Sequence, residues 1–253
     1  MDQSLVAIIL AAGKGTRMES DLPKVVHEVA DAPMVEWVAR ACRDAGCGRI
    51  IIVVGHRQEL VRAIFDGDDD VEFVVQDEQL GTGHAVQCAE DTLKGFDGDV
   101  IVLAGDGPLV RAEALRGLVE HHRRVDGSAT LATAIVDDPA GYGRILRNDA
   151  GVFTGIVEEK EATDAQRSVQ EINPSVYCFK ADELFQALSA VNRSETSGEY
   201  YLTDVPALLA QGGRRIDAVN SLQPDEALSI NTPAQLAEVD RILRARLAPT
   251  GGA

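Results

Sequence analysis

The sequence reads as an α/β domain: a mixed, mostly parallel sheet with helices on both faces and a smaller β-rich insertion. Three features carry this reading. An apolar run, VAIIL (Val6 to Leu10), has the look of a buried strand. Short β-branched runs then alternate with amphipathic stretches through the first half, which argues for parallel strands covered by helices. After Gly127 the alternation gives way to Gly-rich polar segments that suit antiparallel pairing.

In chain order, strands are expected at Ile50 to Val54, Val71 to Val75 and Val100 to Leu103, where β-branched residues cluster. Between them lie helix-like stretches at Met34 to Ala45, Gln58 to Phe65, Gly83 to Leu93 and Arg111 to Arg123. SATLATAIV (Ser128 to Val136) is another strand. GYGRILRNDAGVFTGIVEEK reads as a hairpin with its turn at Asn148 to Gly151, and EINPSVYCF (Glu171 to Phe179) as a further strand. Helices return at Ala181 to Ala190, Thr203 to Gln211 and Thr232 to Leu247. The last opens with Thr as cap and Pro in the first turn. No repeat or low-complexity linker interrupts the chain. The expected organisation is one Rossmann-like domain over 1–247: a binding half (1–127), a selecting half (128–231) and a closing helix (232–247), then a disordered tail (248–253).

The chain carries 41 acidic against 24 basic residues, a net charge of −17. Such a surface repels nucleic acid and anionic membranes, so neither is an expected partner. No apolar stretch approaches a membrane span, and the N-terminus lacks the basic region of a signal peptide. Cys42, Cys47, Cys88 and Cys178 form no CxxC pair and no metal-ligand spacing. They suit the core of a reduced, cytoplasmic protein. An anionic substrate would need concentrated positive charge at its site, and lysines are scarce. Only five occur, two of them in the loop after the first strand, LAAGKGTRMESDLPK (Leu10 to Lys24).

A Gly-rich turn after a strand brings backbone N–H groups close to a ligand, an arrangement that suits phosphate. The loop is not a P-loop, because no GK[ST] follows a four-residue gap from a glycine. It is not a GxGxxG fingerprint either: Gly13 and Gly15 fit, but the third position is Met18. A plain turn would not need Lys14, Arg17 and Lys24 together in so acidic a chain.

LAAGKGTRM with the following PK resembles the signature of the nucleotide-sugar pyrophosphorylases, above all the uridylyltransferase half of the bacterial bifunctional N-acetylglucosamine-1-phosphate uridyltransferases. QDEQLGTGHA, GDGPL, DDPAGYGRI, GIVEEKEAT, QEIN, GEYYLTD and the Ile230-Asn231 pair follow in the same order, so the resemblance spans Leu5 to about Leu247. It implies a nucleotide-diphospho-sugar transferase type of fold with a sugar-binding insertion. The implied reaction is Mg2+-dependent transfer of UMP from UTP to N-acetylglucosamine-1-phosphate, giving UDP-N-acetylglucosamine, a precursor for peptidoglycan and cell-wall biogenesis. The nucleophile is an ionised phosphate oxygen, so no general base is required. The demand is electrostatic, and fixed cations with magnesium meet it.

By resemblance, Leu10, Ala11, Ala12 and Gly13 present backbone to the nucleotide. Arg17 sits on the β/γ-phosphates, and Lys24 on the α-phosphate or the sugar phosphate. Asp106, at the carboxyl end of a parallel strand, binds Mg2+ together with Asn231. Gln76 and the Gly81 backbone read uracil with Thr82 nearby, an amide being able to donate and accept at once. Ala104 and Gly105 complete the nucleotide side. Gly141, Glu158, Asn173 and Tyr201 face the sugar. His84 is expected only to pack. Outside the resemblance, Thr82 also reads as a helix cap, Asp106 as a turn cap before Pro108, Asn231 as a cap before Thr232, and Glu158 as a solvated acid.

Some positions depart from the relatives. Ala104 replaces an aromatic, GDGP replaces GDVP, INPSVY replaces INTGIY, and Ser229 stands where glycine is common. Ala104 and Ser175 leave the sugar open, so glucose-1-phosphate, or dTTP in place of UTP, stays as an alternative. A non-catalytic binding subunit is a further alternative, opposed by the presence of Arg17, Lys24, Asp106 and Asn231. The relatives continue into a hexapeptide-repeat acetyltransferase domain that trimerises them, and no such repeats follow here. The expectation is a stand-alone enzyme or an excised domain, a monomer or small homo-oligomer.

Overall fold

The VAIIL run lies inside strand β1 (Asp2–Ala11), near the middle of a nine-stranded sheet. The computed structural model describes residues 2–248, and the tail beyond Ala248 lies outside the described residues. β1 pairs in parallel with β4 (Cys47–Val54) on one side and β6 (Asp99–Ala104) on the other, and β4 pairs in parallel with β5 (Val71–Val75). β1, β4 and β6 are buried on both faces over most of their length, while β5, at the edge of the sheet, is half-buried. Leu5, Ala7, Ile9, Ile50, Ile52, Ile101 and Leu103 enter one core layer; Val6, Ile8, Ile51, Val53, Val100 and Val102 enter the other. The alternation is the period of two that a strand imposes, and burial on both faces removes any need for polar residues. Each such Ile, Leu or Val contributes about 1.5–3 kcal/mol of transfer free energy.

Helix α1 (Met34–Ala45) and α4 (Ala112–Arg124) cover one face; α2 (Gln58–Ile64) packs beside them, its Val61 entering the same layer. The other face carries α3 (Thr82–Gln87), α6 (Ala181–Leu188) and α7 (Val205–Gln211). α3 is shorter than its sequence suggests: it ends at Gln87, and a separate 3-10 turn spans Asp91–Leu93.

The second half joins the same sheet. Strand β10 (Glu171–Lys180) runs antiparallel to β6 and to β7 (Ala129–Ile135), and with β11 (Ile216–Asn220) at the far edge the sheet has the order β11-β7-β10-β6-β1-β4-β5. β8 (Gly143–Arg147) and β9 (Phe153–Val157) form the expected hairpin, hung on β10. Its turn is set by Asn148, whose Oδ1 accepts from the amides of Ala150 and Val152, each at 3.0 Å.

The edge strand β11 (Ile216–Asn220), the two-residue strands β2 (Glu28–Val29) and β3 (Ala32–Pro33) and the short α5 (Asp164–Arg167) were not expected. The final helix α8 (Pro233–Leu247) opens as the Thr-Pro pair predicts: Thr232 Oγ1 accepts from the Gln235 amide at 3.3 Å. A third, small core cluster joins Met18, Val29, Met34, Leu109, Ile230, Val239 and Leu243. It ties the loop after β1 to the segment preceding α8.

Candidate active site

The loop after β1 does not turn into an α-helix. It makes a 3-10 turn at Thr16–Met18 and another at Lys24–Val26, and reaches an α-helix only at Met34. Met18, at the position where a dinucleotide fingerprint has glycine, is buried in the third cluster with Ile230. That anchor brings Arg17 beside Asn231, where Arg17 Nη2 donates to Asn231 Oδ1 at 2.9 Å. Gly15 has φ 64°, and a Cβ there would stand 2.6 Å from Lys24 Cβ. Only glycine meets both demands, so the second loop glycine lets the chain fold back and places Lys24. Among the described residues, its chain neighbours aside, nothing lies within 4 Å of a Cβ built on Gly13, so the space above it is open to a ligand.

Lys24 Nζ donates to Asp106 Oδ2, and to Asn231 Oδ1 at 2.9 Å. Asp106 stands just past β6, whose Ala104 pairs with Leu10 of β1, and the Gly105 amide donates to Leu10 O at 2.9 Å. Three distant segments thus bring the four expected residues, Arg17, Lys24, Asp106 and Asn231, to one point. Asn231 is held from the other side: its Nδ2 donates to Ser229 Oγ at 3.2 Å and its amide to Gln235 Oε1 at 2.8 Å. Ser229 therefore turns the Asn231 oxygen towards the two cations. The Asp106 and Asn231 oxygens already share one cation, the Lys24 ammonium. A carboxylate and an amide oxygen are hard donors that suit a divalent metal. Among the described residues no group of three His, Cys, Asp or Glu could hold a metal by itself, so ligands from substrate and water would have to complete the shell.

A cleft of about 350 Å³ opens beside this cluster, lined by Leu10, Ala12, Gly13, Lys24, Val25, Gln76, Gln79, Gly81, Thr82, Ala85, Ala104, Asp106, Ser175 and Glu199. It lies at the carboxyl ends of β1, β5 and β6, where open α/β sheets place ligands. Residues 7–203 match the MobA-like NTP transferase domain. The chain belongs to that family.

The transferase is also 46% identical over 243 residues to the bifunctional protein GlmU of Geobacter metallireducens, covering 96% of this chain and 51% of that protein. It is 48% identical over 245 residues to the GlmU of Geobacter sulfurreducens and 46% over 241 residues to that of Streptococcus mutans, covering 97% and 95% of this chain, and 52% of each of those proteins. The chain spans about half the length of these relatives. Its fold is that of a UDP-glucose pyrophosphorylase solved with UDP-glucose, at a TM-score of 0.73 and 18% identity, covering 97% of this chain and 100% of that one.

The expected nucleotide residues Leu10, Ala12, Gly13, Lys24, Gln76, Gly81, Thr82 and Ala104 all line the transferase's cleft, while Ala11 and Gly105 are buried beside it. The GTG motif has an additional role. Gly81 has φ 103°, and a Cβ there would come 2.5 Å from Tyr200 O. The Gly83 amide donates to Tyr200 O at 2.8 Å, the Tyr200 amide to Leu80 O at 2.8 Å, and the Leu202 amide to Thr82 Oγ1 at 3.0 Å. These glycines dovetail with the EYYL backbone, and Thr82 caps that segment rather than its own helix. His84 does more than pack: its Nδ1 lies 3.0 Å from Gln76 Nε2. Gln79 and Glu199 also line the cleft, and Gln79 Nε2 donates to Ala12 O at 2.9 Å. Nothing in their spacing marks them.

The expected sugar residues lie outside the lining of this cleft. Asn173 is buried; its Nδ2 donates to Tyr177 Oη at 2.6 Å and its Oδ1 accepts from the Ser175 amide at 3.3 Å. Glu158 accepts from Thr203 Oγ1 at 2.9 Å, and burial pushes its carboxyl above the usual range despite that bond. The Tyr201 hydroxyl donates to Ser197 Oγ at 2.7 Å, beside a separate surface depression. Gly141 lies on an exposed turn at φ 86°, and its amide donates to Glu159 Oε2 at 3.3 Å. Glu159 is in turn paired at 2.7 Å with the buried Arg144, which holds its carboxyl below the usual range and also donates to Tyr142 O. Arg144 thereby braces the Gly141 turn. Ser175, one of the departures, does line the cleft, and its φ is 61°.

Proposed function

We propose that this domain transfers UMP from UTP to N-acetylglucosamine-1-phosphate and releases pyrophosphate. The observation that carries the reading is the convergence of Arg17, Lys24, Asp106 and Asn231 at one end of a cleft whose other walls are the loop after β1 and the Gln76–Thr82 segment. A sugar-phosphate oxygen attacks the α-phosphorus. The bond from that phosphorus to the bridging oxygen of the β-phosphate breaks, and pyrophosphate leaves with the electron pair.

Lys24, at the junction of cleft and cluster, neutralises the α-phosphate or the incoming sugar phosphate. Arg17, exposed at the outer end, stabilises charge developing on the leaving pyrophosphate. Nucleotidyltransferases of this family generally use a divalent metal. We assign Mg2+ here, held by Asp106 and Asn231, where it would neutralise phosphate charge. Gly13, unobstructed, gives its backbone to the triphosphate. Gln76 and Gly81 meet the base, and Gly141, Glu158, Asn173 and Tyr201 serve the sugar.

The domain is proposed as one functional unit over 1–247, a monomer or small homo-oligomer. Among the described residues no helix is long and apolar enough to cross a membrane, and the four cysteines are free. Both fit the proposed cytoplasmic setting and small-molecule substrates. A second reading, with another sugar-1-phosphate, is favoured by Ala104 and Ser175 within the cleft. Pyrophosphate release with Mg2+, UTP and a panel of N-acetylglucosamine-, glucose-, N-acetylgalactosamine- and glucosamine-1-phosphates decides between them. Release with the first supports the main reading, and release only with another supports the second. No release from folded, UTP-bound protein refutes both.

A further inference from the structure

Gln76 is buried at 4% exposure at the end of β5, yet it lines the cleft. Its Nε2 lies 3.0 Å from Gly81 O and 3.0 Å from His84 Nδ1. A backbone carbonyl can only accept, so the Gly81 contact identifies the nitrogen end of the amide. Both of its hydrogens are then engaged: Gly81 O takes one and His84 Nδ1 takes the other. His84 must accept at Nδ1, which puts the ring proton on Nε2, the atom 3.9 Å from Cys88 Sγ. Oε1 is the end of Gln76 with no partner among the described residues, and it is not sealed from solvent.

We infer that His84 is a positioning residue for base selection: it holds the Gln76 amide so that a lone acceptor, Oε1, faces the base. With the Gly81 bond alone, the amide keeps one loose hydrogen and can rotate about it. With both hydrogens held, rotation breaks two bonds and turns a donor outward. An outward acceptor matches a pyrimidine whose N3 carries hydrogen, as in uracil or thymine. It opposes cytosine, whose N3 is itself an acceptor. The inference rests on the base-reading role proposed for Gln76.

The test compares UTP with CTP, by steady-state kinetics and by calorimetric binding without sugar phosphate, in wild type, His84→Leu, His84→Asn and Gln76→Ala. His84→Leu is expected to lose on the order of 10-fold in preference for UTP, in KM and Kd with kcat nearly unchanged. His84→Asn, whose Oδ1 can accept from Gln76, should keep most of that preference. Wild-type preference in His84→Leu alongside its loss in Gln76→Ala would overturn the role of His84 while leaving Gln76 as the base reader. Equal loss in the Leu and Asn variants would overturn it too. Unchanged preference in Gln76→Ala would overturn the base-reading role, and this inference with it. The ring tautomer supplies a check on unmutated protein: 15N-labelled histidine spectra should show His84 protonated at Nε2 alone, and a proton on Nδ1 refutes the arrangement.

Discussion

Lys24 occupies the point to which the Asp106 carboxylate and Asn231 Oδ1 both turn. The proposed phosphate-binding cation is thus also the cation that neutralises the proposed metal ligands. The two roles would exclude each other at one moment: a metal held by the pair would displace the ammonium towards the cleft. Substituting Lys24 should therefore separate metal affinity from turnover. Lys24→Met is expected to bind Mn2+ more tightly than wild type in the absence of nucleotide, measured by electron paramagnetic resonance, because the competing ammonium is gone. Its turnover should fall on the order of 10²-fold. Weaker Mn2+ binding in the variant would show that Lys24 does not compete for the site.

Arg17 is exposed and, among the described residues, makes a single side-chain bond, to Asn231, so its removal should cost the fold little, within about 0.5 kcal/mol. Arg17→Ala should nonetheless lose on the order of 10²-fold or more in kcat. Thermal melts and pyrophosphate release on the same sample check both halves. Near-normal turnover would remove Arg17 from the mechanism.

The parallel half of the sheet could be read from the sequence because strands buried on both faces consist of continuous apolar runs, which polar loops delimit. β11 escaped because its five residues, IDAVN, sit at a half-buried edge with no such contrast. The cluster of four was named only through the family pattern. Arg17 and Asn231 lie 214 positions apart, and no local period joins them. The contacts behind the cleft wall were out of reach for a different reason. Gly81 reads as a ligand-facing glycine, but its lack of a side chain also serves the close approach of Tyr200 O, a contact that only the fold creates. His84 looks like any histidine one turn into a helix until the Gln76 amide is seen against it.

Glu158 gives a pH-dependent prediction. Burial raises its folded-state pKa above the ordinary 4.5. A carboxyl raised on folding binds its proton more tightly in the native state. Its contribution to stability is present below the unfolded pKa and is lost as pH rises through the folded one. At neutral pH the ionised Glu158 therefore opposes folding. Glu158→Gln, which can still accept from Thr203, should melt at a higher temperature than wild type at pH 7. The difference should shrink as pH falls through the raised folded-state value and be gone once pH is below about 4.5. Its KM for the sugar-1-phosphate should rise, since the proposed hydroxyl acceptor has lost its charge. An equal melting advantage at pH 4 and pH 7 would refute the linkage.

Ser175 carries the last prediction, because it records what the INPSVY departure costs. β10 loses its register against β7 between Ile172 and Val176, and within that irregularity Ser175 takes φ 61°. The left-handed region costs a non-glycine residue about 1–2 kcal/mol, while glycine adopts it freely. Part of that gain is returned as unfolded-chain entropy. Ser175→Gly should therefore stabilise the domain by about 1 kcal/mol, a rise of about 2–4 °C in Tm. The residue lines the cleft, so the same substitution removes a hydroxymethyl group from the wall next to Ala104. If Ser175 narrows the choice of sugar, the glycine variant should change the relative kcat/KM for the panel of sugar-1-phosphates while the KM for UTP holds. A variant that gains stability with an unchanged sugar profile would leave Ser175 as backbone strain alone, and one that loses stability would show that the serine is held there by contacts worth more than the strain.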